Sequence, residues 1–369
     1  MRFLMLNWRC PKHPKAGGAE VVTSAHLQAL RERGHDVHWF SLAAPGQPRT
    51  EVLDGIRIVR GSRLGLLPWY LRQPRFDLVI DQIHGVPWLA PWWGRTHSVA
   101  YLHEVLGPIW DSFYPWPLNA IGRWQERVFL RRYRNVPFWT CSQSTAEMLA
   151  RLGVAKVCNI PNGTDAPRLP ALADKPIMGG AVRLIIVSRL EPNKRVGDAI
   201  EVLSLLCSQG IDASLKIVGS GSEAARLGGR VEALGLSGRV CFTGRVTDQE
   251  KFSLLQQAHI LIHTSVREGW GLNVIEANAV GTPAIVYPVA GLVDSTVNGE
   301  TGIVTAKEAP GEIARGVRFL IENPSVYSQM RTSAWARSKT FDWNVIAPRI
   351  CQWLEAEARG GAGFESRGV

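Results

Sequence analysis

Two glutamates, Glu268 and Glu276, bracket seven residues in the run Arg267-Glu268-Gly269-Trp270-Gly271-Leu272-Asn273-Val274-Ile275-Glu276-Ala277. Gly269 and Gly271 let a backbone come close to a ligand, and a helix starting beyond them would offer free N–H groups to an anion. Two carboxylates would oppose an anion by themselves. They fit as hydroxyl acceptors on either side of a phosphate group, one for a ribose diol and one for a sugar. Arg189 and Lys194 lie five residues apart in Val187-Ser188-Arg189-Leu190-Glu191-Pro192-Asn193-Lys194-Arg195. Fixed cations on such a loop can hold a diphosphate and stabilise it as a leaving group. The blander reading of the same loop is a solvated charged turn.

Other chemistries are poorly served. The chain has no Gly-Lys pair, so no Walker A loop. Gly219-Ser220-Gly221-Ser222-Glu223-Ala224 fits G-x-G-x-x-A, yet the next apolar run, Val240–Thr243, ends without an acid for a ribose diol. An NAD site is therefore not indicated. His103-Glu104-Val105-Leu106-Gly107 starts like H-E-x-x-H but lacks the second histidine, and His35 and His38 lack a third ligand. No Asp-x-Asp pair occurs. Neither a cofactor nor a metal is expected, and cationic side chains must neutralise any phosphates.

These residues follow short apolar runs that read as strands. The first half shows Arg2–Leu6, Asp36–Phe40, Leu78–Ile83, Ser98–Leu102, Pro137–Cys141 and Lys156–Ile160, with helical spacing at Ala19–Arg33 and Ser144–Leu152. In the second half, strands at Arg183–Val187, Leu215–Val218, Val240–Thr243, Ile260–His263 and Ala284–Tyr287 alternate with helices at Val196–Gln209, Glu223–Leu234, Asp248–Gln257 and Leu272–Val280. Such alternation predicts an α/β chain with two doubly wound parallel sheets. The expected division is a first domain over 1–165, a Pro- and Gly-bearing linker over 166–180 and a second domain over 181–340. A last helix with a glycine-rich tail fills 341–369. Ligands of such sheets bind beyond the carboxyl ends of the strands. There the first half offers Asn7, Gly17-Gly18-Ala19-Glu20, His84, His103 and Asn162-Gly163.

The 369 residues, 46% hydrophobic and 20% charged, suit a globular protein of two domains rather than a disordered one. No apolar run reaches the length of a membrane span, and Met1–Asn7 stops being apolar too early for a secretory leader. Six scattered cysteines without a C-x-x-C pair read as small buried hydrophobes in a reducing compartment. A cytoplasmic protein is expected. The net charge of +10 is uneven: residues 1–165 hold 20 Lys and Arg against 12 Asp and Glu, and ten of the 14 tryptophans precede residue 140. Arg123, Arg127, Arg131 and Arg134 form a stripe beside Ile121, Trp124 and Val128 on an expected helix. That stripe reads either as a solvated face or as a peripheral contact with an anionic membrane on its inner face.

Glu268-x7-Glu276 with Gly-Trp-Gly between, Arg189 with Lys194, Gly17-Gly18, and Ile160-Pro161-Asn162-Gly163-Thr164-Asp165 together resemble the retaining GT-B glycosyltransferases of family 4, over Met1 to about Asp342. The resemblance implies two Rossmann-like domains facing across a cleft, with the last helix returning to the first domain. It implies that Glu276 accepts both ribose hydroxyls, that Glu268 binds a donor-sugar hydroxyl, and that Gly269, Trp270, Gly271 and Leu272 meet the sugar or its phosphate. Arg189 and Lys194 would hold the diphosphate, Gly17 and Gly18 would close on it, and Gly244 and Val246 would meet the nucleobase through backbone. His103 would be the active-site histidine, and Glu20 and His84 would lie on the acceptor side.

The implied reaction moves a hexose from a UDP- or GDP-sugar to a hydroxyl, in cell-surface glycan or glycolipid assembly, with retention and without a metal. The leaving diphosphate would take the acceptor's proton, and domain closure would exclude water. The implied partners are a nucleotide-sugar donor and a glycan or lipid-linked acceptor. A phosphorylase would need a cofactor lysine site, and a sugar-nucleotide epimerase would lack E-x7-E. A nucleic-acid-binding protein would carry a recognisable module, which is missing, so nucleic acid is not expected as a partner.

Overall fold

The protein is seen in a computed structural model, which describes all residues except Lys15, Arg168, 176–179 and 361–369. Part of the expected linker and nearly all of the expected tail therefore lie outside the described residues. In chain order the first elements are β1 (Arg2–Leu6), α1 (Gly18–Glu32), β2 (Asp36–Leu42), β3 (Thr50–Leu53), β4 (Ile56–Gly61), α2 (Arg63–Leu71), β5 (Leu78–Ile83), α3 (Ala90–Trp93), β6 (Ser98–Leu102), α4 (Ile109–Phe113), α5 (Leu118–Arg132), β7 (Phe138–Thr140), α6 (Gln143–Arg151) and β8 (Val157–Asn159). Then come β9 (Val182–Val187), α7 (Val196–Ser208), β10 (Ala213–Val218), α8 (Ala224–Ala233), β11 (Val240–Gly244), α9 (Asp248–Gln257), β12 (Ile260–His263), α10 (Leu272–Ala279), β13 (Ala284–Val286), α11 (Leu292–Ser295), β14 (Gly302–Val304), α12 (Pro310–Glu322), α13 (Pro324–Ser338) and α14 (Trp343–Ala358).

The chain forms two compact units. Of the described residues, unit 1 comprises Met1–Gly107, Trp116–Gly163 and 343–360; unit 2 comprises Pro108–Pro115 and those of Thr164–Asp342. The short segment around α4, which a linear division gives to the first domain, thus belongs to unit 2, where α4 meets the turn Pro192–Lys194. Of the segment read as linker, Leu169 and Lys175 are also packed onto unit 2. Leu169 joins its core, and buried Lys175 donates to Gln256 O (2.9 Å) and Thr282 Oγ1 (2.8 Å).

Unit 1 is built on an eight-stranded sheet in the order β3-β4-β2-β1-β5-β6-β7-β8. The expected strands form, and all pairs are parallel except β3 with β4. That antiparallel hairpin was not foreseen. Its two-residue turn, Asp54-Gly55, puts both residues at positive φ (50° and 78°), the geometry that suits the twist of the flanking strands. Alternation along β1 divides the core. Phe3 and Met5 pack on one face with Ile346, Ile350, Trp353 and Leu354 of α14, while Leu4 and Leu6 pack on the other with Leu66, Tyr70 and Trp88. Each such side chain contributes roughly 1.5–3 kcal/mol by leaving water. Ion pairs fasten α14 further: Arg33 grips both oxygens of Glu355 (2.7 and 3.0 Å), and Lys156 reaches Glu357 at 2.7 Å.

Unit 2 carries a six-stranded parallel sheet, β11-β10-β9-β12-β13-β14. Its central strands are buried on both faces, which is why they read as continuous apolar runs. β14, only three residues long, escaped the sequence pattern. β11 lies at the sheet edge, so Cys241 is exposed there; Cys10, Cys141, Cys158 and Cys351 are buried as expected, and Cys207 is half-buried. Among the described residues no helix is long and apolar enough to cross a membrane.

Candidate active site

In unit 2 the chain runs from β9 to β10 and β11 on one side, and later places β12 on the other side of β9. The loops leaving β9 and β12 therefore start from adjacent strand ends where the order reverses, the place where open α/β sheets bind ligands. The first loop carries Arg189 and Lys194, and the second carries Glu268. Hydrogen bonds join them: Thr264 Oγ1 lies 2.9 Å from Lys194 O and 3.0 Å from Arg195 O, and Val266 N donates to Asn193 O (2.9 Å).

The glycine-rich run after β10 holds the first loop from behind. Leu190 N donates to Ser220 O (3.0 Å) and Glu223 N to Leu190 O (2.9 Å). A Cβ on Gly219 would sit 1.9 Å from Ser188 O, and one on Gly221 would sit 2.3 Å from Leu190 O. The G-x-G-x-x-A spacing is thus explained by close backbone packing against the Arg189 loop. It needs no dinucleotide.

Lys194 and Glu268 form an ion pair, and His263 Nε2 lies 3.6 Å from the same carboxylate oxygen. Burial alone would raise the Glu268 pKa, but Lys194 and His263 outweigh it and hold it down to about 2. Burial depresses His263 to about 4 against the pull of Glu268, so the imidazole is neutral near pH 7. Arg189 is exposed, and its side chain has no hydrogen-bond or ion-pair partner among the described residues. The loop therefore presents one committed cation and one available cation.

Beyond Glu268 the chain turns sharply into α10. Gly271 caps this helix at φ 81°, where a Cβ would meet Ser295 Oγ at 2.7 Å. Trp270 is buried edge-on against Phe341 (5.3 Å), and Asn273 Nδ2 donates to Val187 O (2.7 Å), which ties the helix start to the end of β9. Gly269 precedes this anchor, and Leu272 opens the helix half-buried. Just over one turn further, the buried Glu276 accepts from Lys251 Nζ at 2.8 Å. Burial disfavours the Lys251 charge, yet Glu276 and Asp248 more than offset it and raise its pKa. Lys251 comes from α9, which starts just after the loop at Gly244 and Val246. Gly244 O accepts from Gly219 N (2.8 Å), and Val246 packs on the core. Sequence reading missed both Lys251 and His263. They lie 25 and five residues from their partners on other elements, and no local pattern marks them.

Unit 1 groups its own residues by the same topology, because β2 and β5 flank β1 on opposite sides. Gly17 caps α1, and its N–H donates to Glu20 Oε2 (2.7 Å), so the carboxylate of Glu20 closes the loop that carries it. A Cβ at Gly18 would meet nothing within 4 Å, so the backbone there is open. One turn on, Thr23 contacts Gln82 Oε1 (3.2 Å), and Gln82 Nε2 donates to His103 Nε2 (3.0 Å). The ring hydrogen of His103 then sits on Nδ1, which faces the Tyr101 hydroxyl at 3.4 Å. Burial, aided by His84, lowers His103 to about 3 and keeps it neutral. His84 is exposed just past β5. Among the described residues no cluster of three or more His, Cys, Asp or Glu could hold a metal ion.

The sequence profile of the family described as Glycosyl transferases group 1 matches residues 173–337, and that of Glycosyltransferase Family 4 matches 16–168; between them they span most of the chain. Glycogen synthase of Mycobacterium tuberculosis is 28% identical, covering 98% of this chain and 96% of its own. The GDP-mannose-dependent alpha-(1-6)-phosphatidylinositol dimannoside mannosyltransferase of the same organism is 27% identical, covering 72% and 70%. Among solved structures, sucrose-phosphate synthase from Thermosynechococcus elongatus superposes with a TM-score of 0.79 at 20% identity, over 96% of this chain and 98% of that one. Anabaena HepE in complex with UDP and glucose does so with a TM-score of 0.76 at 19% identity, over 96% and 100%. At these identities the structural likeness shows the fold.

Proposed function

Because the chain belongs to the GT-B glycosyltransferases and is an enzyme of the group 1 type, we propose that it moves a hexose from a UDP- or GDP-sugar to an acceptor hydroxyl with retention at the anomeric carbon. The observation that carries this reading is the pair of loops at the reversal point of unit 2, which carry a Lys194–Glu268 ion pair and an Arg189 without a side-chain partner among the described residues. An exposed guanidinium with no partner is a ready counterion for a diphosphate, and its planar fork matches phosphate oxygens. Lys194 adds a second positive charge, and Glu268, ionised at any working pH, accepts from a donor-sugar hydroxyl. Glu276, steadied by Lys251, accepts from the ribose hydroxyls. Backbone at Gly244 and Val246 meets the base, and amides from Gly269 through Trp270 and Gly271 to Leu272 meet the sugar or its phosphate.

In the reaction the bond from the anomeric carbon to the diphosphate oxygen breaks, and the bond to the acceptor oxygen forms on the same face. The acceptor's proton goes to the departing phosphate oxygen. Arg189 and Lys194 stabilise the charge that develops there, so the site needs no metal and no cofactor for this step. Unit 1 would hold the acceptor, with Gly17, Gly18, Glu20, His84 and neutral His103 as its polar lining. A neutral His103 can exchange hydrogen bonds with sugar hydroxyls without competing for the acceptor's proton. The named activities of the relatives, one building glycogen and one mannosylating a phosphatidylinositol dimannoside, support a glycan or lipid-linked acceptor in cell-surface glycan or glycolipid assembly. Their donors leave both bases in play, because one relative is GDP-mannose-dependent and HepE was solved with UDP-glucose.

Thermal shift with UDP, GDP, ADP and NAD, on the wild type and on Glu276→Gln, tests the reading. A ligand at a hundred times its Kd adds about 2.7 kcal/mol to what it binds. A shift with UDP or GDP alone, lost in the variant, is the expected result. A shift with NAD alone, or none with any nucleotide, would overturn the donor assignment.

A further inference from the structure

Helix α5 is built inside out. Its one carboxylate, Glu126, is buried and accepts from Leu106 N (2.7 Å) and Gly107 N (3.0 Å), while Leu118, Ile121 and Trp124 face outward. Leu118 is 54% exposed, Ile121 51% and Trp124 65%, and Trp116 just before the helix is 81% exposed. Leu118, Ile121 and Trp124 recur every three positions, so they form one stripe, which Trp116 extends beyond the helix start. The same face continues into cations at the C-terminal end of the helix. Arg127, Arg131, Arg132 and Arg134 are exposed, and none has a side-chain partner among the described residues. Val128, Arg131, Arg132, Arg134 and Asn135 line a shallow hollow there. The stripe read from sequence changes in one respect: Arg123 is half-buried and engaged, and Arg132 takes its place. Folding gains nothing from an outward Trp-Ile-Leu stripe, since the fold's own core lies on the other side at Leu130 and Tyr133.

We infer that this face of α5 is a docking surface for an anionic lipid bilayer. Trp116, Leu118, Ile121 and Trp124 enter the headgroup boundary, and Arg127, Arg131, Arg132 and Arg134 lie over lipid phosphates. The chemistry selects this occupant over two others. A second copy of the chain would bring eight unneutralised guanidiniums together with no carboxylate on the face to answer them. A nucleic acid would satisfy the arginines but leave Leu118 and Ile121 no apolar partner. A bilayer satisfies both halves of the surface at once. The inference does not depend on the proposed donor site, because none of these residues belongs to it.

The test is co-sedimentation of the full-length protein with phosphatidylcholine vesicles, with and without phosphatidylglycerol, at low and high salt. Two variants are compared, Ile121→Ser/Trp124→Ser and Arg131→Gln/Arg132→Gln, with UDP or GDP thermal shift as a control that both should retain. Expected is binding to the phosphatidylglycerol vesicles, weakened by salt. Each arginine removed should lower the partition coefficient about fivefold, and the apolar pair should lower it at least as much as both arginines together. Failure to pellet with anionic vesicles, or pelleting unchanged in both variants, would overturn the inference. So would a wild-type dimer in light scattering that Ile121→Ser/Trp124→Ser dissolves, or RNA binding that replaces vesicle binding.

Discussion

The Nζ of Lys251 lies 2.8 Å from Oε1 of Glu276 and 2.9 Å from Oδ1 of Asp248, one ammonium shared between a buried carboxylate and an exposed one. Lys251→Met would leave Glu276 buried without its counterion, which favours the protonated carboxyl and removes one hydroxyl acceptor. Nucleotide affinity should fall about tenfold, the worth of one hydrogen bond to a charged group. Because ribose binding is shared by ground and transition states, KM should rise with kcat nearly unchanged. Isothermal titration with UDP and GDP, beside steady-state kinetics, checks both parts. A fall in kcat alone would count against the role.

Arg189 and Lys194 should behave differently, although sequence treats them as a pair. Arg189 has no partner to strand among the described residues, so Arg189→Ala should leave the melting temperature unchanged and cut kcat/KM by about 100-fold or more. Lys194→Ala strands Glu268 and should also destabilise unit 2 by about 3 kcal/mol. Adding Glu268→Ala to Lys194→Ala should restore part of that stability and none of the activity. A double-mutant cycle on denaturation midpoints, with donor turnover measured in parallel, separates the two effects.

Acid should weaken unit 2 through its buried histidines. Burial lowers His259 to about 4, aided by Arg183, Lys175 and Arg331, and lowers His263 to about 4. In the unfolded chain both titrate near 6.5. Between about pH 6.5 and 4 the unfolded state therefore binds more protons, and stability falls as pH falls. Two such groups give a slope of about 2.7 kcal/mol per pH unit, which flattens once the folded forms protonate near 4. Above pH 6.5 they contribute no pH dependence. Urea denaturation across this range should show the slope, and His259→Asn should remove about half of it.

Most strands were legible because buried parallel strands advertise themselves as short apolar runs, and β1, β5, β6 and β12 fall where the pattern puts them. The β3–β4 hairpin is legible too, in Asp54-Gly55 between alternating residues, but Glu51, Arg57 and Arg60 interrupt its strands, which therefore show no apolar run. Glu268, Gly271 and Glu276 could be singled out because they share one short run. Lys194 could be singled out as well, but not its pairing with Glu268, and Lys251 carried no signal at all. Lys194 is 74 residues from Glu268 and Lys251 is 25 from Glu276, and only the reversal of strand order brings such segments together. The glycines of Gly219-x-Gly221 show the opposite failure, since a familiar spacing arose from two loops needing to touch.

Unit 1 is closed by α14. Ile346, Ile350, Trp353 and Leu354 of α14 fill the same core as Phe3, Met5 and Trp139, and Trp343 covers His26 at 5.1 Å. During synthesis, β1 leaves the ribosome long before α14, the helix that seals it. Strands made early therefore wait for residues made much later. Until then its aromatic face, with Tyr101 stacked on Trp139 at 3.8 Å, is open to water and to chaperones.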